Sequence, residues 1–127
     1  MFSFQDQEEI RLVVNSGAKL LDLAEKMADN SAVLLKCRPE SGRNDQVLFT
    51  DREVLYIDAK DLVGHTEAAA VLPYSSVVSF AVETAGGIMG ESALRLDLLT
   101  GKSVSFRFKG KADVVSLAAA VRKGMKA

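Results

Sequence analysis

Two short clusters carry groups able to hold an anion. Lys36-Cys37-Arg38, with Arg43 beyond the turn at Pro39-Glu40-Ser41-Gly42, sets three cations around one loop. Such a set can grip a phosphorylated head group through charge-assisted hydrogen bonds, arginine adding its planar two-pronged geometry. Glu40 and Asp45 in the same stretch dilute that field. Gly101-Lys102-Ser103 ends like a phosphate-binding loop, G-x-x-x-x-G-K-[ST], but position 96 is Leu. Ser103 also opens a strand-like run where the motif needs a helix N-terminus, so nucleotide binding is set aside. Gly86, Gly87 and Gly90 lack the G-x-G-x-x-G spacing and a following helix, and read better as a flexible loop or a close backbone contact.

Nucleophilic catalysis has little to work with. Cys37 alternates with Val33 and Leu35, which places its thiol on an apolar face as a buried, inert group. His65 follows Gly64 in a turn-like stretch, and nothing in the spacing brings it to Cys37 as a nucleophile requires of its base. One Cys and one His exclude an internal disulfide and a Cys/His zinc cluster, and no cofactor is expected. The reading is of a protein that is not an enzyme.

These groups sit in a chain of 127 residues, enough for one domain of ordinary globular composition, 48% hydrophobic and 26% charged. Sixteen basic against seventeen acidic residues give a net charge of -1, too little positive field for general nucleic-acid binding. The acidic N-terminal stretch with Asp6, Glu8 and Glu9 is unlike a signal peptide, so the expected location is the cytoplasm. Phe2 and Phe4 read as packing residues. Membrane insertion is disfavoured, because residues 1–29 hold six acidic groups against Arg11, Lys19 and Lys26.

Residues 5–29 carry apolar positions at three- and four-residue steps (Ile10, Val13 or Val14, Leu20 or Leu21, Ala24, Met27), which predicts a helical segment, either one long helix or two short ones parted at Asn15-Ser16-Gly17. The chain thus divides into an N-terminal helical extension, 1–29, and a domain, 30–127. Seven strands are predicted at 32–38, 45–50, 53–58, 66–72, 78–84, 93–99 and 103–109, separated by turns too short for helical crossovers. Leu94, Leu96 and Leu98 should face the core with Val104, Phe106 and Phe108, an arrangement whose parity demands an odd loop with Gly101 or a neighbour in the left-handed conformation. The opposite face would carry Arg95, Asp97, Ser105, Arg107 and Lys109. Strands 45–50 and 53–58 are apolar on both faces, so the second must be covered by the N-terminal segment or by another chain. Residues 112–125 are predicted as a last amphipathic helix, with Asp113 in its positive first turn and Arg122, Lys123 and Lys126 near its negative end.

The run Pro73-Tyr74-Ser75-Ser76-Val77-Val78-Ser79-Phe80-Ala81-Val82-Glu83-Thr84-Ala85-Gly86 closely resembles the bacterial pleckstrin-homology-like signature P-Y-x-S-I-x-x-F-S-V-E-T-A-G. Residues 48–58, Leu-Phe-Thr-Asp-Arg-Glu-Val-Leu-Tyr-Ile-Asp, are similar to the family's V-F-T-x-K-R-L-I-L-V-D, and Ala93-Leu94-Arg95-Leu96 resembles its A-E-L-K-I segment. The likeness spans about residues 30–125 and departs at Asp51-Arg52-Glu53 and at Gly87-Ile88-Met89-Gly90. It implies a mainly β (α+β) fold: a pleckstrin-homology-like barrel of seven antiparallel strands in two sheets with a C-terminal helix, preceded by the N-terminal helical segment.

It further implies a cyclic homo-oligomer, five subunits among the candidate counts, whose adjoining strands build a hydrophilic surface for an unidentified protein partner. Glu83, Thr84, Gly86 and Gly87 would then lie near a subunit junction. A ring needs two complementary patches per protomer. Charge divides in that sense: residues 1–63 hold 8 basic and 12 acidic groups (net -4) and residues 64–127 hold 8 and 5 (net +3). A head-group or phosphorylated-ligand module at Lys36, Arg38 and Arg43 is the alternative, and a small-ligand barrel the third.

Overall fold

Residues 7–15, 17, 19–40, 45–59, 67–84 and 91–125 are described in a computed structural model of the chain. Among the described residues eight strands form one sheet: β1 (Gln7–Val14), β2 (Val33–Pro39), β3 (Gln46–Thr50), β4 (Glu53–Ala59), β5 (Glu67–Pro73), β6 (Val77–Glu83), β7 (Ser92–Leu98) and β8 (Ser103–Lys109). Two helices, α1 (Asp22–Met27) and α2 (Val114–Gly124), complete it. Every predicted strand is present with its ends within one residue of the expected ones.

The strand order is β5-β4-β3-β2-β1-β8-β7-β6. Strands β2 to β5 form one antiparallel meander and β6 to β8 another, with β1 joining them, antiparallel to β2 and parallel to β8. Strands β5 and β6 lie at opposite edges of this order, yet only the 3₁₀ turn Tyr74–Ser76 separates them. The sheet must therefore curl until its ends meet at that corner. A three-residue link allows nothing wider. The expectation of seven strands in two sheets is corrected to eight in one.

The N-terminal helical segment is also corrected. In β1 the buried residues are Ile10 and Leu12, alternating with exposed Glu9 and Arg11. Ile10 stands opposite Phe106 and Leu12 opposite Phe108, both fully buried. A period of two, with a hydrophobic seam waiting on β8, outweighs the looser three- and four-residue steps. Among the described residues of this region only α1, six residues long, is helical.

The inside of the curl is filled by an aromatic cluster, Phe49 meeting Phe106 and Phe108 edge-on at centroid separations of 5.0 and 5.3 Å. The β7–β8 loop has the expected parity, Leu96 facing Val104 and Leu94 facing Phe106, with Gly101 at φ 84°. Helix α2 turns Val114, Leu117 and Val121 inward against β6, β7 and the 3₁₀ turn. Asp113 caps it rather than lying inside its first turn, accepting hydrogen bonds from the Ser116 amide (3.1 Å) and hydroxyl (2.7 Å).

The second apolar face of β3 and β4 is covered from within. Leu48, Leu55 and Ile57 are buried beneath Ala24 and Ala28, with Leu20, Leu21, Leu23 and Val33 packed around them. Gln46 fastens this cover: its Nε2 donates to the Lys19 carbonyl and its Oε1 accepts from the Leu21 amide, each at 2.9 Å. A bulge between Val33 and Leu35 sends Val33 to this layer, while Leu35 and Cys37 face the main core. Val33 therefore does not share the Cys37 face, as alternation had suggested.

Candidate functional site

Helix α1 covers the outer side of β3 and β4, while the outer side of β6, β7, β8 and β1 carries a polar face ordered by strand register. One row across it reads Ala81, Arg95, Ser105, Glu9, and the next reads Glu83, Ala93, Arg107, Arg11. The alternation that buries Leu94, Leu96, Val104, Phe106 and Ile10 turns these residues outward.

Arg107 stands at the centre. Its guanidinium lies 3.8 Å from Glu9, 3.6 Å from Glu83 and 4.0 Å from Glu91. Glu9 is also 3.7 Å from Arg11, and Arg95 is 3.4 Å from Asp97, which accepts a 2.7 Å hydrogen bond from Ser79. Between these side chains lies a depression of about 140 Å³, floored by Ala81, Ala93 and Ser105 and walled by Glu9, Glu83, Arg95 and Arg107. Small residues on adjoining strands leave the hollow, and the long charged side chains stand around it.

Glu83 thus belongs to this face, pointing away from Phe80 and Val82 as strand parity requires. Thr84 follows it, exposed, just beyond the end of β6. Gly86 and Gly87 lie outside the described residues, as do Arg43 and His65. Lys36 and Arg38 both project outward from β2, flanking buried Cys37. Arg38 pairs with Val13 and Lys36 with Leu48, so the two cations continue the outer surface beyond β1. Sequence reasoning placed Arg95, Ser105 and Arg107 on one face but missed Glu9 and Arg11. Their signal was the Glu9-Ile10-Arg11-Leu12 alternation.

Cys37 is buried, and loss of solvent pushes its thiol up to about 12, which keeps it protonated and unreactive. Among the described residues no group of three or more His, Cys, Asp or Glu is placed to hold a metal ion, and no helix is long and apolar enough to cross a membrane.

The edges of the sheet also bear on function. Beyond β5 and β6 no further strand pairs among the described residues, and both carry exposed apolar side chains: Val71 at 39%, Val78 at 48% and Val82 at 38%. Exposed strand edges with apolar side chains are templates for pairing with another chain.

The family model described as "Bacterial PH domain" matches residues 41–124. A solved DUF1696-family protein with a pleckstrin-homology domain from Shewanella loihica is similar, with a TM-score of 0.60 and 22% identity over 89% of this chain and 96% of that one. A pleckstrin-homology domain from Shewanella amazonensis aligns with a TM-score of 0.50 and 25% identity, covering 87% and 94%. A PH-domain-containing protein from Exiguobacterium sibiricum gives 0.50 and 17%, covering 89% of this chain and 63% of that one. No curated protein matches the chain.

Proposed function

Since the chain belongs to the bacterial PH domain family, we propose that it is a non-enzymatic cytoplasmic module that assembles with copies of itself into a closed ring and offers its charged outer face to a protein partner. The observation that carries the assembly is the pair of edges. Strands β5 and β6 end the sheet on either side and bear the exposed valines 71, 78 and 82. Edge-to-edge pairing of unlike strands is a head-to-tail contact, and head-to-tail contacts that close give rings. The doubly apolar strands β3 and β4 lend this reading nothing, because α1 covers their second face.

The test is the absolute mass in solution, by size-exclusion chromatography with light scattering. A discrete species several times the 13.7 kDa protomer is expected, and a monomer at micromolar concentration would sink the ring. A phosphorylated-ligand site is the lesser reading, favoured by one observation: Lys36 and Arg38 share the outer face of β2.

A further inference from the structure

We propose that the depression beside Arg107 is a seat for a basic side chain of a protein partner, an arginine or lysine head closing on Glu83 and Glu9. The proposal rests on reading this face as a protein-binding surface and is independent of the ring. Its first support is charge. Glu9, Glu83 and Glu91 all lie within 4.0 Å of Arg107, and Arg11 joins Glu9 at 3.7 Å. The walls of the depression are balanced, Glu9 and Glu83 against Arg95 and Arg107, and the wider network, four carboxylates with Glu91 and Asp97 against three guanidiniums with Arg11, leaves one negative charge over.

Distance is the second support. None of the three carboxylates approaches Arg107 closer than 3.6 Å, whereas charge-assisted N–H···O⁻ bonds close to about 2.7–2.9 Å. The acids gather around Arg107 without closing on it. Arg95 does not supply the missing cation, since it pairs with Asp97 at 3.4 Å.

Access and shape complete the argument. Glu83 is the most open of the three carboxylates, its side chain 71% exposed, and it stands on an edge strand. The floor of Ala81, Ala93 and Ser105 gives an incoming side chain apolar surface for its stem while its head reaches the rim. An incoming anion would meet three carboxylates grouped around the cation it sought. The seat therefore selects cations, the reverse of the chemistry expected at Lys36, Arg38 and Arg43.

The experiment is a ¹⁵N–¹H NMR titration of the full chain with blocked tripeptides carrying arginine, lysine, glutamine or glutamate between two alanines. Arginine and lysine peptides should shift the amides of Glu83, Ala93, Ser105 and Arg107 along saturable curves, more weakly at high salt, while the other two should not. Glu83→Gln should weaken the arginine peptide about fivefold, the value of one exposed charge contact, with an otherwise unchanged spectrum. Equal or better binding of the glutamate peptide, shifts scattered over the surface, or no shift in the millimolar range would each overturn the proposal. Light scattering on the same samples separates the readings: a monomer that still selects arginine removes the ring and keeps the seat. A protein without that selectivity removes the seat, whatever its mass.

Discussion

Gly124 ends α2 against Tyr74 so closely that a Cβ built on it would stand 2.7 Å from the Tyr74 Cβ. Neither partner can yield easily. Tyr74 is fully buried, donates a 2.8 Å hydrogen bond from its hydroxyl to the Thr50 carbonyl, and donates another from its amide to the Arg52 carbonyl at 3.0 Å. Gly124→Ala should therefore cost about 1–3 kcal/mol through overpacking, despite alanine's better helix propensity, and thermal melts followed by circular dichroism would measure it. The Pro73-Tyr74 pair of the family-like run thus has a structural duty at the corner of the sheet. Cys37 gives a second prediction at this scale. Its thiol, pushed up to about 12 by burial, stays neutral when folded and ionises near its ordinary value of about 8.5 when unfolded. That raised value contributes stability present below the unfolded pKa and lost as pH climbs through the folded one, so stability should decline above pH ~8.5. At pH 8, a level about half a unit below the free thiol's pKa, a thiol reagent should label the denatured chain quickly and the native chain slowly. Rapid native labelling would contradict the burial.

At the scale of elements, β1 carries the largest consequence. It lies between β2 and β8, so its removal would split the sheet into two meanders. Leu12, 1% exposed opposite Phe108, should cost about 2–5 kcal/mol when cut to alanine, measured by urea unfolding. A helical extension lying outside the sheet would tolerate that change with little effect. The misreading has a definite physical origin. Ile10, Val13 and Val14 satisfy a helical step, and Ile10, Leu12 and Val14 satisfy a strand step within the same eight residues. Local pattern alone does not choose between them, whereas β8 offers Phe106 and Phe108 as partners for only one. From Leu94 to Leu98 and throughout β8, by contrast, strict alternation admits a single reading, and the Gly101 turn sets the register.

At the scale of the whole molecule, the ring prediction becomes specific. If the β5 and β6 edges carry assembly, Val78→Lys with Val82→Lys should lower the mass seen by light scattering while leaving the circular dichroism spectrum unchanged. Lysine on an edge strand opposes pairing by burying charge against the incoming chain. An unchanged mass would move the assembly contact elsewhere. The sequence by itself determined the β-rich class, seven of the eight strands, the closing helix, the core set Leu94, Leu96, Leu98, Val104, Phe106 and Phe108, and the polar residues opposite them. Those features follow from periods of two and 3.6 and from turn chemistry, all of which act over a few neighbours. Only the tertiary structure decided that Gln7–Val14 joins the sheet, that α1 covers β3 and β4, and that Glu9, Glu83, Glu91 and Arg107 meet. Each of these depends on contacts between residues up to about a hundred positions apart, where cross-strand register, invisible to any local window, sets which charges become neighbours.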